Sequence, residues 1–469
     1  MKKTFLFIFA IATTIATAQT PCDNFSAGPY DCNGLDLQSS ISLSTMGASS
    51  GNDSWGWTDP DTGNEYALIG LDNGTAFIDI TDPINPTYLG KMDTETNPSS
   101  WRDIKVYQNH AFVVSEANGH GMQIFDLTRL RDVANPPENF NPDEVYTQFG
   151  SAHNIVINED TGFAYAVGTA TFGGGPHFIN IQDPQNPIAA GGYSSDGYSH
   201  DSQVVIYNGP DADYAGREIL ISSNETEVVI RDVTDKSNPT LIETITYPNI
   251  GYTHQGWFTE DQRYFILGDE VDELNIGGET RTMIFDFEDL DDPELDFIYE
   301  GPTAAIDHNG YVHNGKYYMA NYTAGLRVID LQDIANGSIE EVQSFDSHPE
   351  NNSANFNGAW SVYPYFASGN IVISDINRGF LLVRDPLLGT ADSNAEAFSI
   401  SPNPAENNIT ISGTNQSLTS IIVYNILGQT VMQNNFDAAS SKNIDVSQLN
   451  AGMYLVKIND TTTKRLIIK

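Results

Sequence analysis

Phe77-Ile78-Asp79-Ile80-Thr81-Asp82-Pro83-Ile84-Asn85-Pro86 is an apolar run that ends in two aspartates and two prolines. The same phrase returns as Phe178-Ile179-Asn180-Ile181-Gln182-Asp183-Pro184-Gln185-Asn186-Pro187 and as Asp232-Val233-Thr234-Asp235-Lys236-Ser237-Asn238-Pro239. Looser copies are centred on Asp126, Asp286, Asp330 and Asp385, so the anchors recur 44 to 55 residues apart. The phrase has a mechanical reading: a strand ends, the aspartate side chain bonds backbone N–H groups of the turn, and proline stops the ladder. Two further strand-like runs precede each anchor, such as Ile155-Val156-Ile157 and Ala164-Tyr165-Ala166-Val167. A fourth follows it, such as Leu241-Ile242-Glu243-Thr244-Ile245. Four antiparallel strands at this period predict a β-propeller blade, and seven copies predict seven blades. The seventh copy lacks a fourth strand. Leu35 to Leu43, ahead of the first copy, is expected to supply it and lock the ring.

The composition agrees with an all-β chain. Of 469 residues, 40% are hydrophobic, 11% aromatic and only 18% charged. That is enough apolar material for a large core, which excludes global disorder. The formal net charge of −41 repels phosphate backbones and anionic membrane surfaces, so nucleic-acid binding is excluded. The first 18 residues read as a signal peptide, with Lys2 and Lys3, the apolar stretch Phe5 to Ile15, and Ala16-Thr17-Ala18 as the cleavage site. No later segment has the ~20 apolar residues of a membrane-spanning helix. The two cysteines, Cys22 and Cys32, are expected to form a disulfide in an exported chain. Residues 19–388 are assigned to the propeller, 389–397 to a linker and 398–469 to a small β-sandwich. This last segment carries five basic and four acidic residues, unlike the acidic body.

Two resemblances follow from quoted residues. Ser401-Pro402-Asn403-Pro404, Val423-Tyr424-Asn425-Ile426-Leu427-Gly428-Gln429, Leu449-Asn450-Ala451-Gly452-Met453-Tyr454 and the terminal Lys464-Arg465-Leu466-Ile467-Ile468-Lys469 resemble the C-terminal sorting domain of the type IX secretion system. This implies a Gram-negative, Bacteroidota-type cell, the type IX machinery as a partner, and a secreted or outer-surface location. The repeat phrase and Trp55-Gly56-Trp57-Thr58-Asp59-Pro60 resemble the LVIVD-repeat propellers of the choice-of-anchor B family. That resemblance implies a surface propeller and brings no settled activity.

Aligning the starts of the first strands gives Trp55, Trp101, His153, His200, His254, His308 and Trp360. Second strands end on the same face, and Glu225, Asp269 and Glu270 are among their last residues. Imidazoles and carboxylates are therefore expected around one end of the central channel. Such a set suits a divalent metal as cofactor. Trp55, Trp101, Arg102 and Trp360 are expected to face a ligand. The alternative is a buried hydrogen-bond network that repeats with the fold and binds nothing. Gly47-Ala48-Ser49-Ser50-Gly51 lacks the strand-then-helix setting of a nucleophile elbow. The acidic run Asp286 to Asp296 lacks EF-hand spacing and reads as a solvated turn. The expected function is a secreted or surface binding module that holds an extracellular glycan or protein on its channel face. A metal-dependent polysaccharide lyase, hydrolase or oxidase is the alternative, and a structural surface-layer protein the third.

Overall fold

A computed structural model describes residues 19–386 and 398–469, except 402, 404, 406, 414–416, 426–429, 450–451 and 460–461. The expected signal peptide and the whole of the expected linker, 389–397, lie outside the described residues. The chain divides into two compact units, Met1–Arg384 and Asp385–Lys469.

The first unit holds seven antiparallel sheets among the described residues. Their first strands are Gly51–Thr58, Arg102–Tyr107, Asn154–Asn158, Asp201–Ile206, Thr253–Phe258, Gly310–His313 and Ala359–Tyr363. Each of these touches the first strand of the next sheet, and the seventh touches the first. The arrangement is all-β and propeller-like. Side chains between neighbouring sheets form a series of apolar clusters, such as Phe77, Phe125 and Phe140 between the first and second sheets. No helix among the described residues is long and apolar enough to cross a membrane.

The repeated phrase does what its residues dictate. Asp79 Oδ1 accepts from the N–H of Thr81 at 2.9 Å, and Asp82 Oδ1 from that of Ile84 at 3.1 Å. Asn180 and Asp183 repeat the pair of turns at 3.0 and 3.2 Å, and Asp232 and Asp235 at 2.9 and 3.0 Å. Each carboxylate or amide satisfies an N–H that the strand has just released.

The seventh sheet is completed from the other end of the unit. Asp36–Ser42 pairs antiparallel with Gly379–Arg384, with a bulge between Leu37 and Ser39. A hairpin of Ser26–Ala27 and Tyr30–Asn33 adds to the outer strand of the sixth sheet, where Cys32 lies opposite Phe345. The Cys22–Cys32 disulfide therefore joins this hairpin to the segment that enters the seventh sheet. One departure from a uniform repeat occurs after the second anchor. Glu138–Phe140 pairs parallel with the outer strand of the first sheet, and Glu144–Tyr146 supplies the fourth strand of the second.

Among the described residues, the second unit is a two-sheet sandwich of three and four strands. Ile409, Ile411, Ile421, Val423, Ile444 and Val456 lie between the two sheets as one core.

Candidate functional site

The four aligned histidines come together. Their rings follow the sheet order, with centroids 3.9 Å apart from His153 to His200, 4.5 Å to His254 and 4.3 Å to His308. Trp360 continues the file 5.0 Å beyond His308. His200, His254 and His308 are buried, at 5%, 2% and 3% exposure. The spacing follows from the fold: equivalent residues on adjacent first strands face one axis.

Protonation at this site is set by its neighbours. His308 Nδ1 donates to the Trp360 carbonyl at 2.5 Å, which leaves its Nε2 with a lone pair. His153 Nδ1 pairs with Glu116 Oε1 at 2.6 Å. Burial pushes the His254 and His308 imidazoles down to about 3, with neighbouring imidazoles adding to the effect. Burial likewise holds His200 well below the usual range, again with nearby imidazoles adding to the effect. The three are neutral near pH 7, the state a metal requires of an imidazole. Nδ1 of His200 and Nδ1 of His254 are buried without a hydrogen-bond partner.

Glu270 completes the group. Its carboxylate lies 3.8 Å from His254 Nε2 and 3.6 Å from His308 Nε2, and it accepts from the Tyr322 hydroxyl at 2.9 Å. One ligand atom each from His200, His254 and Glu270 fall within 4.8 Å of one another. A tetrahedral ion with bonds of ~2.1 Å holds its ligands roughly 3.4 Å apart, so a small contraction would close the site. Tyr322 would act as the outer hydrogen bond that orients the carboxylate.

Beneath the imidazoles lies a layer of buried charge. Asn154 Nδ2 donates to Asp201 at 2.9 Å and also to Asp103, and Lys105 Nζ lies 3.6 Å from Asp53. Burial raises Asp201 to about 7 and Asp103 well above the carboxylate range. Between the two layers is a void of about 20 Å³, bounded by Trp101, His153, His254, His308 and Trp360. It has room for one water and no more.

Several expected site residues are placed otherwise. Asp269 faces away from the imidazoles: its oxygens accept from the N–H groups of Gly251 and Tyr252 and from the Tyr247 hydroxyl. It holds the loop that carries His254. Arg102 lines the void but is 2% exposed, and its guanidinium bonds the Leu71 carbonyl, Thr94 and His120. Trp55 lies at the opposite end of the channel, because it is a mid-strand residue: it pairs with Leu68 as Trp257 pairs with Ile266, and Asn52 stands where His254 stands in the fifth sheet. Glu225 accepts from Tyr252, whose ring stands 5.0 Å from His200, and so reaches the site at one remove. Trp101 is on the expected face and 45% exposed. The sequence reading missed the roles of Tyr252 and Tyr322, whereas Glu116, at the end of a second strand, meets His153 as the strand alignment predicts. The two tyrosines come from loops with no common spacing, so no periodic signal marked them.

Residues 399–469 match the family model described as the secretion system C-terminal sorting domain. The chain is thus a secreted or cell-surface protein of the type IX route, and that tail engages the export machinery. No curated protein matches the chain. Among solved structures, it is similar to hydrazine synthase of Kuenenia stuttgartiensis, at 13% identity and TM-score 0.48, covering 68% of this chain and 92% of that one. It is also similar to PorZ of Porphyromonas gingivalis, a surface component of the type-IX secretion system, at 13% identity and TM-score 0.47, covering 87% and 58%. A protein from Lactobacillus plantarum matches at 12% identity and TM-score 0.46, covering 84% and 99%.

Proposed function

We propose that residues 19–388 form a seven-bladed propeller that works outside the cell as a binding module, with a divalent transition metal held at the imidazole end of its channel. The observation that carries this reading is the convergence of His200, His254 and Glu270, with two buried imidazole nitrogens left unpaired. Neutral imidazole and one carboxylate suit zinc, nickel or iron better than calcium. Trp101, exposed beside this site, is the surface on which a glycan or protein partner would rest. The likeness of the repeat phrase to LVIVD-repeat propellers belongs to the same reading.

The test is metal analysis of the purified, dialysed protein by mass spectrometry. The expected result is close to one transition-metal ion per chain. It should be lost in a His200→Ala/His254→Ala double variant whose circular dichroism is unchanged. A metal-free wild type, together with a collapsed fold in the variant, would instead mark the imidazoles as structural.

A further inference from the structure

The opposite end of the channel opens into a second, much larger cavity of about 470 Å³. Its size is that of a small-molecule site. One wall is aromatic. Trp55 stands 5.2 Å from Tyr363 and 6.2 Å from Tyr365, and Trp257 is held edge-on by Tyr311 at 5.0 Å. The facing wall is aliphatic, from Val106, Val156 and Val204. Among the described residues, Lys105 is the one lysine or arginine that lines the cavity. Its buried ammonium is bonded to Asp103 and the Ile104 carbonyl, lies 3.6 Å from Asp53 and 4.6 Å above the Trp55 ring, so its charge is directed to acidic partners of its own.

The rim carries the opposite sign. Glu260 is held in place by the N–H groups of Asn314 and Gly315, at 2.7 and 3.1 Å. Glu159 faces the same opening from the third sheet. His313, also at the rim, accepts from Asn314 and is kept neutral by burial. A polyhydroxylated ligand would strand its hydroxyls against valine and tryptophan, and an anion would meet two carboxylates on a chain of net charge −41. Aromatic faces beside carboxylates attract a cation with an apolar body.

We propose that this mouth binds a small organic cation, an ammonium group carried on an aromatic or aliphatic body, with the ring or chain between Trp257 and the valines and the charge at Glu159 and Glu260. The site is separate from the imidazole end and does not depend on a metal there.

The experiment is calorimetric titration of the purified protein with 2-phenylethylammonium, and in parallel with 3-phenylpropionate, which has the same body and the opposite charge. The cation is expected to bind saturably and to change tryptophan fluorescence, and the anion to show no binding. Glu159→Lys alters an exposed side chain and leaves the core intact; it should weaken the cation at least tenfold. Trp257→Leu should weaken it similarly. Equal binding of the anion, no saturation by the cation at millimolar concentration, or an unaltered affinity in Glu159→Lys would each overturn the proposal.

Discussion

His120 shows how tightly one buried side chain can bind stability to pH. It is fully buried, its Nδ1 donates to the Gly121 carbonyl at 3.0 Å, and its Nε2 accepts from Arg102 at 2.9 Å. Burial first, and the adjacent guanidinium second, push its pKa down to about 4. An unfolded histidine titrates near 6.5. Between pH 6.5 and 4 the unfolded chain therefore binds a proton that the folded chain refuses, and stability falls as pH falls through that window. Each pH unit there is worth ~1.4 kcal/mol. Denaturant unfolding at pH 7 and pH 5 should show this loss, and His120→Gln should shrink the difference between the two by roughly 2 kcal/mol. An unchanged pH difference in the variant would mean that His120 does not set it.

At the scale of elements, the join between the two ends of the first unit is the point of weakness. Asp36–Ser42 closes the seventh sheet, and the segment before it is tied down. Thr20 bridges Leu37, and the Cys22 N–H donates to Asp36 at 2.8 Å. The disulfide closes a loop of sequence separation 10, which in the chain-entropy model stabilises by about 3 kcal/mol. A Cys22→Ser/Cys32→Ser variant is expected to lose most of that. Hydrogen exchange should rise first in Asp36–Ser42 and in its neighbour Gly379–Arg384, with the first strands still protected. The exposed edge would be apolar, from Phe380 to Val383, so the variant should also aggregate more readily.

Across the whole molecule, two units with separate cores divide the labour. The first carries both cavities and the acidic charge, and the second carries the sorting domain. Deletion of residues 398–469 should leave a folded first unit trapped in the periplasm. Fractionation and protease accessibility of whole cells would check this, and appearance of the truncated chain in the medium would contradict it. The sequence by itself determined the repeat, because the Asp-Asp-Pro turns depend only on bonds within a few residues, as at Asp79 and Asp82. It likewise determined the paired cysteines, the export tail and the alignment of His153, His200, His254 and His308, since a repeated strand puts equivalent positions on one axis. Only the tertiary structure decided that Glu270 turns toward the imidazoles while its neighbour Asp269 turns away to a loop. It also decided that Trp55 lies at the other mouth and that Arg102 is buried against Leu71, Thr94 and His120. Side-chain direction at a strand end depends on the loop that packs over it and on bulges upstream, and neither is written in the spacing of the repeat.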